Sequence, residues 1–293
     1  MFYNSDDVVE DFFASLARQT DTRFRLYVID NSPTDSALDA AKALAQLHGM
    51  QATFVFNDAN LGVAKGNNQG IALALKDGCT HVLLANNDVD FYEGTIGRLL
   101  SALTAEDRAA TPKILYHGED NLIWFAGGAI KPWTMLVPHF GMLTKDHGQF
   151  DKERHTPYAP TCFMLFAASV FAKVGVMDET YFVYYDDADF VWRMRECGLS
   201  IRYVPESVVW HKVSTSTGGF FSPFTIYYTN RNRIYFIRKN LKGLQRAFAL
   251  SYVVATRILY TARLPRSLSS KLWTGLRDGW RMPLNRDRSV RSS

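Results

Sequence analysis

Short apolar stretches alternate with amphipathic ones through the first part of this chain. Residues 24–29, 53–56 and 81–84 are apolar enough for buried strands, whereas residues 8–19 and 36–47 repeat apolar side chains at helical spacing. Such alternation indicates βα units around a mainly parallel central sheet flanked by helices. We therefore predict an α/β fold, in which ligands lie beyond the carboxyl ends of the strands.

Polar side chains follow two of the predicted strands directly. Asp30 follows the first strand, and Asn86, Asn87 and Asp88 follow the strand at 81–84. Hard cations prefer oxygen ligands, and Mg²⁺ usually needs only one or two carboxylates beside the oxygens of a bound phosphate. This strand end is therefore a candidate site for a divalent ion and a diphosphate.

A second acidic cluster lies about a hundred residues further on. It contains Asp186, Asp187 and Asp189, and Arg193 and His211 come after it. Each residue alone also fits an ordinary role, as a turn, a helix start or a structural histidine. Their joint order favours an enzyme in which one carboxylate holds a metal ion and another accepts a proton.

Three glycines are spaced four residues apart. Gly62, Gly66 and Gly70 would share one helix face, which would allow close approach by a ligand or by another backbone. Tight packing against the sheet is the equally plausible structural interpretation. The segment is not a phosphate loop, because Lys65 precedes Gly66 and no Ser or Thr follows.

Composition excludes several classes of protein. With 47% hydrophobic and 21% charged residues, large-scale disorder is not expected. Cys79, Cys162 and Cys197 form no Cys-x-x-Cys pair, which argues against a disulfide framework or a cysteine-rich zinc site and suits a reducing compartment. Neither a secretory signal nor a run of about 18 apolar residues is visible. We expect a cytoplasmic protein, soluble or peripheral on the membrane.

Positive charge is concentrated at the end of the chain. From Arg238 onward there are 13 basic and 2 acidic residues, whereas the preceding part has 20 basic and 27 acidic residues. Residues 241–293 contain two amphipathic stretches, broken near Pro265, that carry Trp273 and Trp280. We predict a basic helical tail that contacts an anionic membrane surface. Packing on the catalytic domain or on a partner subunit is the alternative, and no nucleic-acid module accompanies the charge.

Ordered segments along the chain match a known family: FYNSDD (2–7), VIDNSPTDS (28–36), NLGVAKGNNQGI (60–71), LLANNDVDF (83–91), FAKVGVMDETYFVYYDDADFVWRMRECG (171–198), VPESVVWH (204–211) and YYTNRNRIYFIRKN (227–240). With them the chain resembles glycosyltransferase family 2 enzymes of the GT-A fold, in the rhamnosyltransferase-like branch. The resemblance covers residues 2 to about 240. It implies a GT-A catalytic domain at 1–240, followed by the basic tail at 241–293.

The resemblance also implies roles for individual residues. Asp187 matches the catalytic base, and Asp88 with His211 matches the site of Mg²⁺ or Mn²⁺ beside the donor diphosphate. Asp186, Asp189 and Arg193 would orient the site and the acceptor. The donor nucleotide would contact residues from the strand ends and the glycine segment, namely Tyr3, Asn4, Asp30, Asn60, Gly62, Asn67, Asn86 and Asn87.

Two features depart from the family pattern. Asn86 stands where the family has the first acidic residue of Asp-x-Asp, so this position supplies hydrogen bonds but no charge. The family also begins with a full apolar strand before the Tyr3-Asn4 pair, whereas only Met1 and Phe2 precede it here. We expect a truncated or short first strand, and with it weaker nucleotide binding or lower stability.

The sequence therefore predicts a metal-dependent inverting glycosyltransferase of bacterial surface polysaccharide synthesis. L-rhamnose from dTDP-L-rhamnose is the favoured donor, although the variable stretch 111–158 would decide the base and the sugar. The acceptor would be a glycan or a lipid-linked glycan at the inner face of the cytoplasmic membrane. A catalytically inactive GT-A module that acts as a binding subunit is the main alternative. A nucleotidyltransferase is disfavoured, because no glycine-rich basic loop follows the first strand.

Overall fold

The computed structural model describes residues 1–213 and 222–285. The predicted tail therefore lies partly outside the described residues. The helices are α1 Val9–Ala17, α2 Ser36–Leu47, α3 Val63–Lys76, α4 Thr95–Ser101, α5 Ser169–Val174, α6 Asp186–Glu196, α7 Pro223–Asn240, α8 Gly243–Thr261 and α9 Arg266–Arg281. The strands are β1 Leu26–Asp30, β2 Ala52–Phe56, β3 His81–Ala85, β4 Val89–Phe91, β5 Asp107–Tyr116, β6 Ile123–Phe125, β7 Arg154–His155, β8 Phe163–Ala167 and β9 Ser200–His211.

The strands confirm an α/β fold with a central sheet flanked by helices. Strands β1 and β2 pair in parallel, and a seven-stranded sheet has the order β3-β8-β5-β9-β4 with β6 on β5 and β7 on β9. The sheet is mixed rather than mainly parallel: within the seven-stranded sheet only β5 and β9 pair in parallel. No helix intervenes between β5 and β8 along the chain, so these strands need no crossover and pair antiparallel.

The beginning of the chain contacts both β1 and β3. Phe2 bridges Asp30 in parallel, its N–H donating to the Ile29 carbonyl (2.8 Å). The Met1 amino group donates to the Ala85 carbonyl at the end of β3 (3.0 Å). Among the described residues Phe2 therefore makes a single bridge beside β1, and a cleft separates the rest of β1 from β3.

The glycines of α3 serve close packing. A Cβ atom at Gly62, whose φ is +84°, would lie 2.6 Å from the backbone oxygen of Phe182. At Gly66 it would lie 2.6 Å from the Met1 sulfur. These two close approaches support the packing interpretation. The approach at Gly62 also joins the start of α3 to the loop that precedes α6.

The C-terminal helices pack on α7 to different extents. Helix α9 lies against α7 through Gly275 and Gly279, where an added Cβ would come within 2.5 Å and 2.1 Å of the carbonyl oxygens of Tyr227 and Arg231. In α8 only Ala249 and Val253 are buried. None of the helices in the described ranges is both long and apolar enough to cross a membrane.

Candidate active site

The sheet register brings Asp88 beside His211. Strand β4 pairs antiparallel with the end of β9 so that Val89 lies opposite His211, and the Lys212 N–H donates to the Asp88 carbonyl (2.8 Å). As a result Asp88 Oδ2 lies 3.3 Å from His211 Nε2, and both side chains are largely buried. Residues more than 120 positions apart in the chain are thus in direct contact.

Each of these two side chains keeps one polar atom without a partner. Asp88 Oδ1 and His211 Nδ1 are buried and have no hydrogen-bond partner among the described residues. Leaving a buried polar atom unsatisfied is costly, so a missing ligand is a natural explanation. A carboxylate oxygen suits Mg²⁺ or Mn²⁺, whereas imidazole is more typical of the softer transition-metal ions.

Few side chains at this site could bind a metal ion. Within residues 1–213 and 222–285, no group of three or more His, Cys, Asp or Glu side chains could hold a metal by itself. Asp88 and His211 therefore fit a divalent ion only if a diphosphate or water completes its coordination, as is usual for Mg²⁺. Although burial opposes it, the contact with His211 lowers the pKa of Asp88, so that this carboxylate stays ionised.

Asp187 lies at the start of α6 in a different electrostatic environment. Its Oδ2 accepts a hydrogen bond from the Tyr158 hydroxyl (2.5 Å), and its Oδ1 accepts one from the Ala188 N–H (2.6 Å). Burial raises the pKa of Asp187 despite these hydrogen bonds. A raised carboxyl pKa brings a base closer to neutral pH, where general-base catalysis is most effective.

The other acidic residues of α6 differ from Asp187. Burial, and secondarily the neighbouring Asp187, raises the pKa of Asp186 far above the usual range, so that this carboxyl holds its proton. Asp189 is fully buried; burial opposes its ionisation, but Lys239 and Arg193 lower its pKa. It accepts hydrogen bonds from Arg193 and Lys239 (2.9 Å each).

The orienting role predicted for Asp189 and Arg193 stays a prediction, and the contacts of both side chains show how it would act. Arg193 uses its remaining donors on the carbonyls of Val174 and Val176 (2.8 Å each). Asp189 also accepts from Asn240 (2.9 Å). Both side chains are fully engaged in joining α6 to α5 and α7. Their effect on the site is indirect, because they fix the helix that carries Asp187.

The loop before α6 is strained. Phe182, Tyr184 and Tyr185 have φ values of 67°, 62° and 65°, a region that side chains other than glycine rarely adopt. Each such residue costs on the order of 1–3 kcal/mol and persists only when its surroundings enforce it. Asn232 on α7 enforces this loop conformation, since its fully buried Nδ2 lies 2.6 Å and 2.9 Å from the carbonyls of Val183 and Tyr184.

We expect Asn232→Ala to lower kcat by about tenfold or more, because a rise of about 1.4 kcal/mol in the activation free energy is enough for that loss. The variant leaves the carbonyls of the strained loop unpaired, and Asp187 then loses its fixed position. Steady-state kinetics of sugar transfer measure the effect. Asn230→Ala is the matched control, because it removes a buried amide of the same helix that bonds Arg257 (2.6 Å) rather than the strained loop. A loss of stability without any change in kcat would contradict this positioning role.

The predicted nucleotide residues cluster at the end of β1. Asp30 is fully buried; its Oδ1 accepts from the Ser32 N–H (2.8 Å), and its Oδ2 has no partner among the described residues. The Asn4 N–H donates to the Ser32 hydroxyl (2.9 Å), so the Tyr3-Asn4 pair lies at the same strand end. The free Oδ2 of Asp30 is a hydrogen-bond acceptor available to a ligand.

The other residues that were predicted to bind the nucleotide donor do not all lie together. Asn60 Oδ1 accepts from the Gly62 N–H (3.0 Å) and closes the turn into α3. Asn87 is buried with an unpartnered Nδ2, and the Asn86 N–H donates to the Cys162 carbonyl (2.8 Å). Asn67 lies apart from these, because its amide faces the Met177 sulfur (3.6 Å).

An aromatic chain that the sequence analysis missed connects the two carboxylates. Ring centroids of His211 and Trp124 are 4.7 Å apart, those of Trp124 and His139 4.6 Å, and those of His139 and Tyr158 5.8 Å. Tyr158 then donates to Asp187. Burial lowers the pKa of His139 to about 4, so its ring is neutral. The stretch 111–158 contains three of these rings but has no periodicity that would reveal them.

The buried thiol of Cys162, which lies near both carboxylates, does not ionise readily. Burial raises the pKa of Cys162 well above its ordinary value, and Asp88 and Asp187 raise it further. The same interaction shows that both carboxylates act on one buried atom. The site therefore combines an ionised Asp88, a more basic Asp187 and a wall of aromatic rings, which suits transfer of a group away from a diphosphate.

Solved structures show which fold this is. The chain resembles the mannosyltransferase PcManGT of Pyrobaculum calidifontis, solved with GDP-Man and Mn²⁺ (TM-score 0.58, 14% identity, 95% of this chain and 82% of that one). It also resembles GalNAc-T7 solved with UDP, GalNAc and Mn²⁺ (TM-score 0.54, 12% identity), covering 81% of this chain but only half of that one. The fold is that of GT-A glycosyltransferases.

The family follows from the sequence comparison. The model of glycosyl transferase family 2 matches residues 1–175, and the chain belongs to this family. It is 28% identical over 242 residues to the N-acetylglucosaminyl-diphospho-decaprenol L-rhamnosyltransferase of Mycobacterium tuberculosis, covering 74% of this chain and 75% of the relative. The chain is thus a glycosyltransferase with rhamnosyltransferase relatives, as its motifs predicted.

Proposed function

We propose that this protein is a metal-dependent inverting glycosyltransferase that moves L-rhamnose from dTDP-L-rhamnose to a glycan or lipid-linked glycan acceptor of the bacterial cell envelope. The observation that carries the proposal is the contrast between two carboxylates. Asp88 has a lowered pKa and a buried oxygen without a partner among the described residues, whereas Asp187 has a raised pKa. Transfer from a nucleotide sugar needs one carboxylate that stays charged and another that takes a proton.

In this mechanism Asp88 and His211 would hold Mg²⁺ or Mn²⁺ beside the donor diphosphate. The bound ion would supply positive charge for the departing nucleoside diphosphate. Asn87, whose buried amide nitrogen has no partner, would donate a hydrogen bond to the donor. Asn86 contributes no charge, so the ion must take its remaining ligands from the diphosphate and water.

Asp187 would act on the acceptor. Its carboxylate accepts the proton of the attacking hydroxyl while that oxygen bonds to the anomeric carbon and the bond to the diphosphate breaks. Displacement in a single step inverts the anomeric configuration. Tyr158, which donates to Asp187 Oδ2, holds the carboxylate in one orientation. General-base assistance of this kind contributes about 10²–10⁴-fold to rate.

Asp30 would recognise the nucleotide base. Its Oδ2 is buried and unpartnered, whereas its Oδ1 is held by Ser32, so the side chain is fixed and one acceptor remains. Thymine and uracil both carry a ring N–H that such an acceptor can bind. The preference for dTDP-L-rhamnose rests on the mycobacterial relative, whose name gives L-rhamnosyl transfer.

The outward face of α8 supports a membrane-linked acceptor. It presents Leu244, Phe248 and Leu259, which are 86%, 51% and 70% exposed, and α8 contains no acidic residue. At one end Trp133 packs on Phe248 with ring centroids 5.6 Å apart. The nearby Met135 carbonyl accepts from Tyr185 (3.0 Å), so this face adjoins the loop before Asp187.

An apolar helix face flanked by basic residues is typical of helices that lie in a membrane interface. Basic side chains lie directly before and after α8, among them Lys242, Arg263 and Arg266. This peripheral contact with the inner face of the cytoplasmic membrane would use α8. The predicted Trp273 and Trp280 belong to α9, which packs on α7 but leaves these two side chains 40% and 56% exposed.

We expect the double variant Phe248→Asp, Leu259→Asp to bind anionic vesicles about tenfold or more weakly, because two apolar side chains no longer enter the lipid. Co-sedimentation with phosphatidylglycerol vesicles measures the change. Leu47→Asp on α2 is the matched control, since Leu47 is 75% exposed on another helix. Equal vesicle binding by the double variant and wild type would contradict the membrane contact.

Calorimetric titration with dTDP, UDP, GDP and CMP, each with and without Mn²⁺ or Mg²⁺, tests the donor. The proposal expects the tightest binding for dTDP and expects that binding to require the metal. Tighter binding of another nucleotide would reassign the donor. Absence of any metal-dependent binding would favour an inactive GT-A module that serves as a binding subunit.

A further inference from the structure

Arg233 of α7 is a buried arginine that pairs with no carboxylate among the described residues. Its side chain is 2% exposed, and its one hydrogen bond within the described ranges runs from Nη2 to the Thr134 carbonyl. The Nε atom is buried and has no partner there. Because a buried charge is costly unless an opposite charge pairs with it, an anionic ligand is a natural explanation.

A hydroxyl beside this guanidinium also has no partner. Thr134 Oγ1 is buried and makes no hydrogen bond within the described part of the chain. Both a guanidinium N–H and a hydroxyl can donate, so the two groups together suit an oxyanion. Arginine favours phosphate in particular, because its planar fork of N–H groups matches the spacing of phosphate oxygens.

Arg257 of α8 adds a second positive charge at the same place. No carboxylate of the described residues pairs with it either, and its pKa is lowered first by burial and next by the charge of Arg233. Two like charges that are partly desolvated repel each other. An anion between α7 and α8 would offset both the repulsion and the burial of Arg233.

Tyr185 connects this place with the catalytic carboxylate. It directly precedes α6, which carries Asp187, and its hydroxyl donates to the carbonyl of Met135, next to Thr134 (3.0 Å). Burial raises the pKa of Tyr185, Arg233 and Arg257 lower it, and Asp187 raises it. Both cations and the candidate base therefore act on one phenol.

The apolar face of α8 adjoins the same residues. Trp133, directly before Thr134, packs on Phe248 of that face with ring centroids 5.6 Å apart. One turn further along α8, the Tyr252 ring centre lies 5.7 Å from the guanidinium carbon of Arg233. A lipid chain that lies on this face would thus bring its polar end to Arg233.

We propose that Arg233, together with the Thr134 hydroxyl and the charge of Arg257, binds the phosphate group that joins lipid and glycan in the acceptor. The identity of the acceptor rests on the proposed function, whereas the anion site rests on the unpaired arginine. Binding there would fix the head group beside α6, so that a hydroxyl of the attached glycan can reach Asp187.

The test titrates inorganic diphosphate into wild type and Arg233→Met by calorimetry in EDTA. Removing metal ions keeps the probe out of the donor site, where Asp88 would bind it only through an ion. We expect the variant to bind about tenfold or more weakly, because it loses a charged hydrogen-bond donor. Arg246→Met is the matched control and should bind as wild type does; Arg246 is also on α8, and its Nε donates to the Leu241 carbonyl (2.7 Å).

Thermal unfolding separates loss of binding from loss of folding. Diphosphate should raise the Tm of wild type, because it binds the folded chain, and should leave the Tm of Arg233→Met unchanged. Thr134→Val keeps the carbonyl that Arg233 contacts and removes only the hydroxyl. We expect this second variant to bind diphosphate about threefold or more weakly, and it tests the site even if Arg233→Met does not fold.

Two lipid probes distinguish the source of the phosphate. We expect farnesyl diphosphate to displace inorganic diphosphate from wild type, and we expect Arg233→Met and Arg246→Met to bind phosphatidylglycerol vesicles equally. Vesicle binding that requires Arg233, without displacement by farnesyl diphosphate, would overturn the assignment to the acceptor and indicate a membrane-lipid site.

Three other results would overturn the proposal. They are absence of diphosphate binding by wild type in EDTA, equal Kd for wild type and Arg233→Met, and loss of this binding in Asp88→Asn, which would place the probe in the donor site. None of these measurements requires sugar transfer. A chain that transfers no rhamnose can therefore still show the anion site, and an active enzyme can lack it.

Discussion

Asp187→Asn is expected to lower kcat by about 10²–10⁴-fold while nucleotide-sugar binding stays nearly unchanged. The amide keeps the size of the carboxylate and its contact with Tyr158, but it cannot take the proton of the acceptor hydroxyl. Steady-state transfer assays and calorimetric titration of the donor separate the two effects. A fall in donor affinity equal to the fall in kcat would instead indicate that Asp187 binds the donor.

Asp186→Asn is the matched control for this variant. Burial keeps the Asp186 carboxyl protonated, and an amide is close in shape to a protonated carboxyl. We therefore expect a loss of kcat at least tenfold smaller than that of Asp187→Asn. Equal losses at the two neighbouring positions would contradict the assignment of the base to Asp187.

The pH dependence of kcat follows from the same carboxylate. Asp187 must be ionised to act as a base, so kcat rises as pH passes upward through its pKa. Because burial raises this pKa, the rising limb lies above the ordinary carboxyl value of about 3.9. In Tyr158→Phe the hydrogen bond that opposes the shift is lost, and the limb moves to higher pH. A shift to lower pH would contradict this explanation.

Asp88→Asn is expected to remove the metal dependence of nucleotide binding. Loss of the charge weakens the ion's site, and we expect Kd for the nucleoside diphosphate with Mn²⁺ to rise roughly 10- to 100-fold, which is about 1.4–2.8 kcal/mol. Binding without metal should change little. Calorimetry with and without Mn²⁺ measures both values.

Asp90→Asn provides the comparison two residues away on β4. Asp90 pairs with His117 (2.9 Å) and Lys212 (3.7 Å) rather than with His211. Metal-dependent binding should therefore survive in this variant. If both variants lost it, the loss would reflect general damage to β4 and not a metal ligand.

The strand ends and the acidic helix start could be predicted from local sequence. Apolar runs located β1 and β3, and the residues after them are Asp30 and Asn86–Asp88, as expected for ligand sites in α/β folds. The family was also recognisable, because ordered motifs extend over most of the chain. The direction of the strands could not be predicted, because β5 and β8 follow in the chain without an intervening helix and pair antiparallel.

The supporting contacts could not be predicted, because they join distant parts of the chain. Tyr158 reaches Asp187 from a segment without periodicity, and Asn232 holds the strained loop from a helix some 50 residues later. Arg193 was assigned to the site through the family resemblance, and its Nε, Nη1 and Nη2 atoms bond to Asp189, Val174 and Val176 within the fold. Spacing identifies which residues share a helix face, but it does not identify their partners.

The most direct measurement is release of dTDP from dTDP-L-rhamnose with a polyprenyl-diphospho-N-acetylglucosamine acceptor, with and without Mn²⁺, for wild type and Asp187→Asn. The account predicts that wild type forms a rhamnosylated product of inverted anomeric configuration only with the metal, and that Asp187→Asn forms at least 100-fold less. Equal, background-level release by both proteins with every nucleotide sugar tried would contradict it and would indicate a module that binds without transferring.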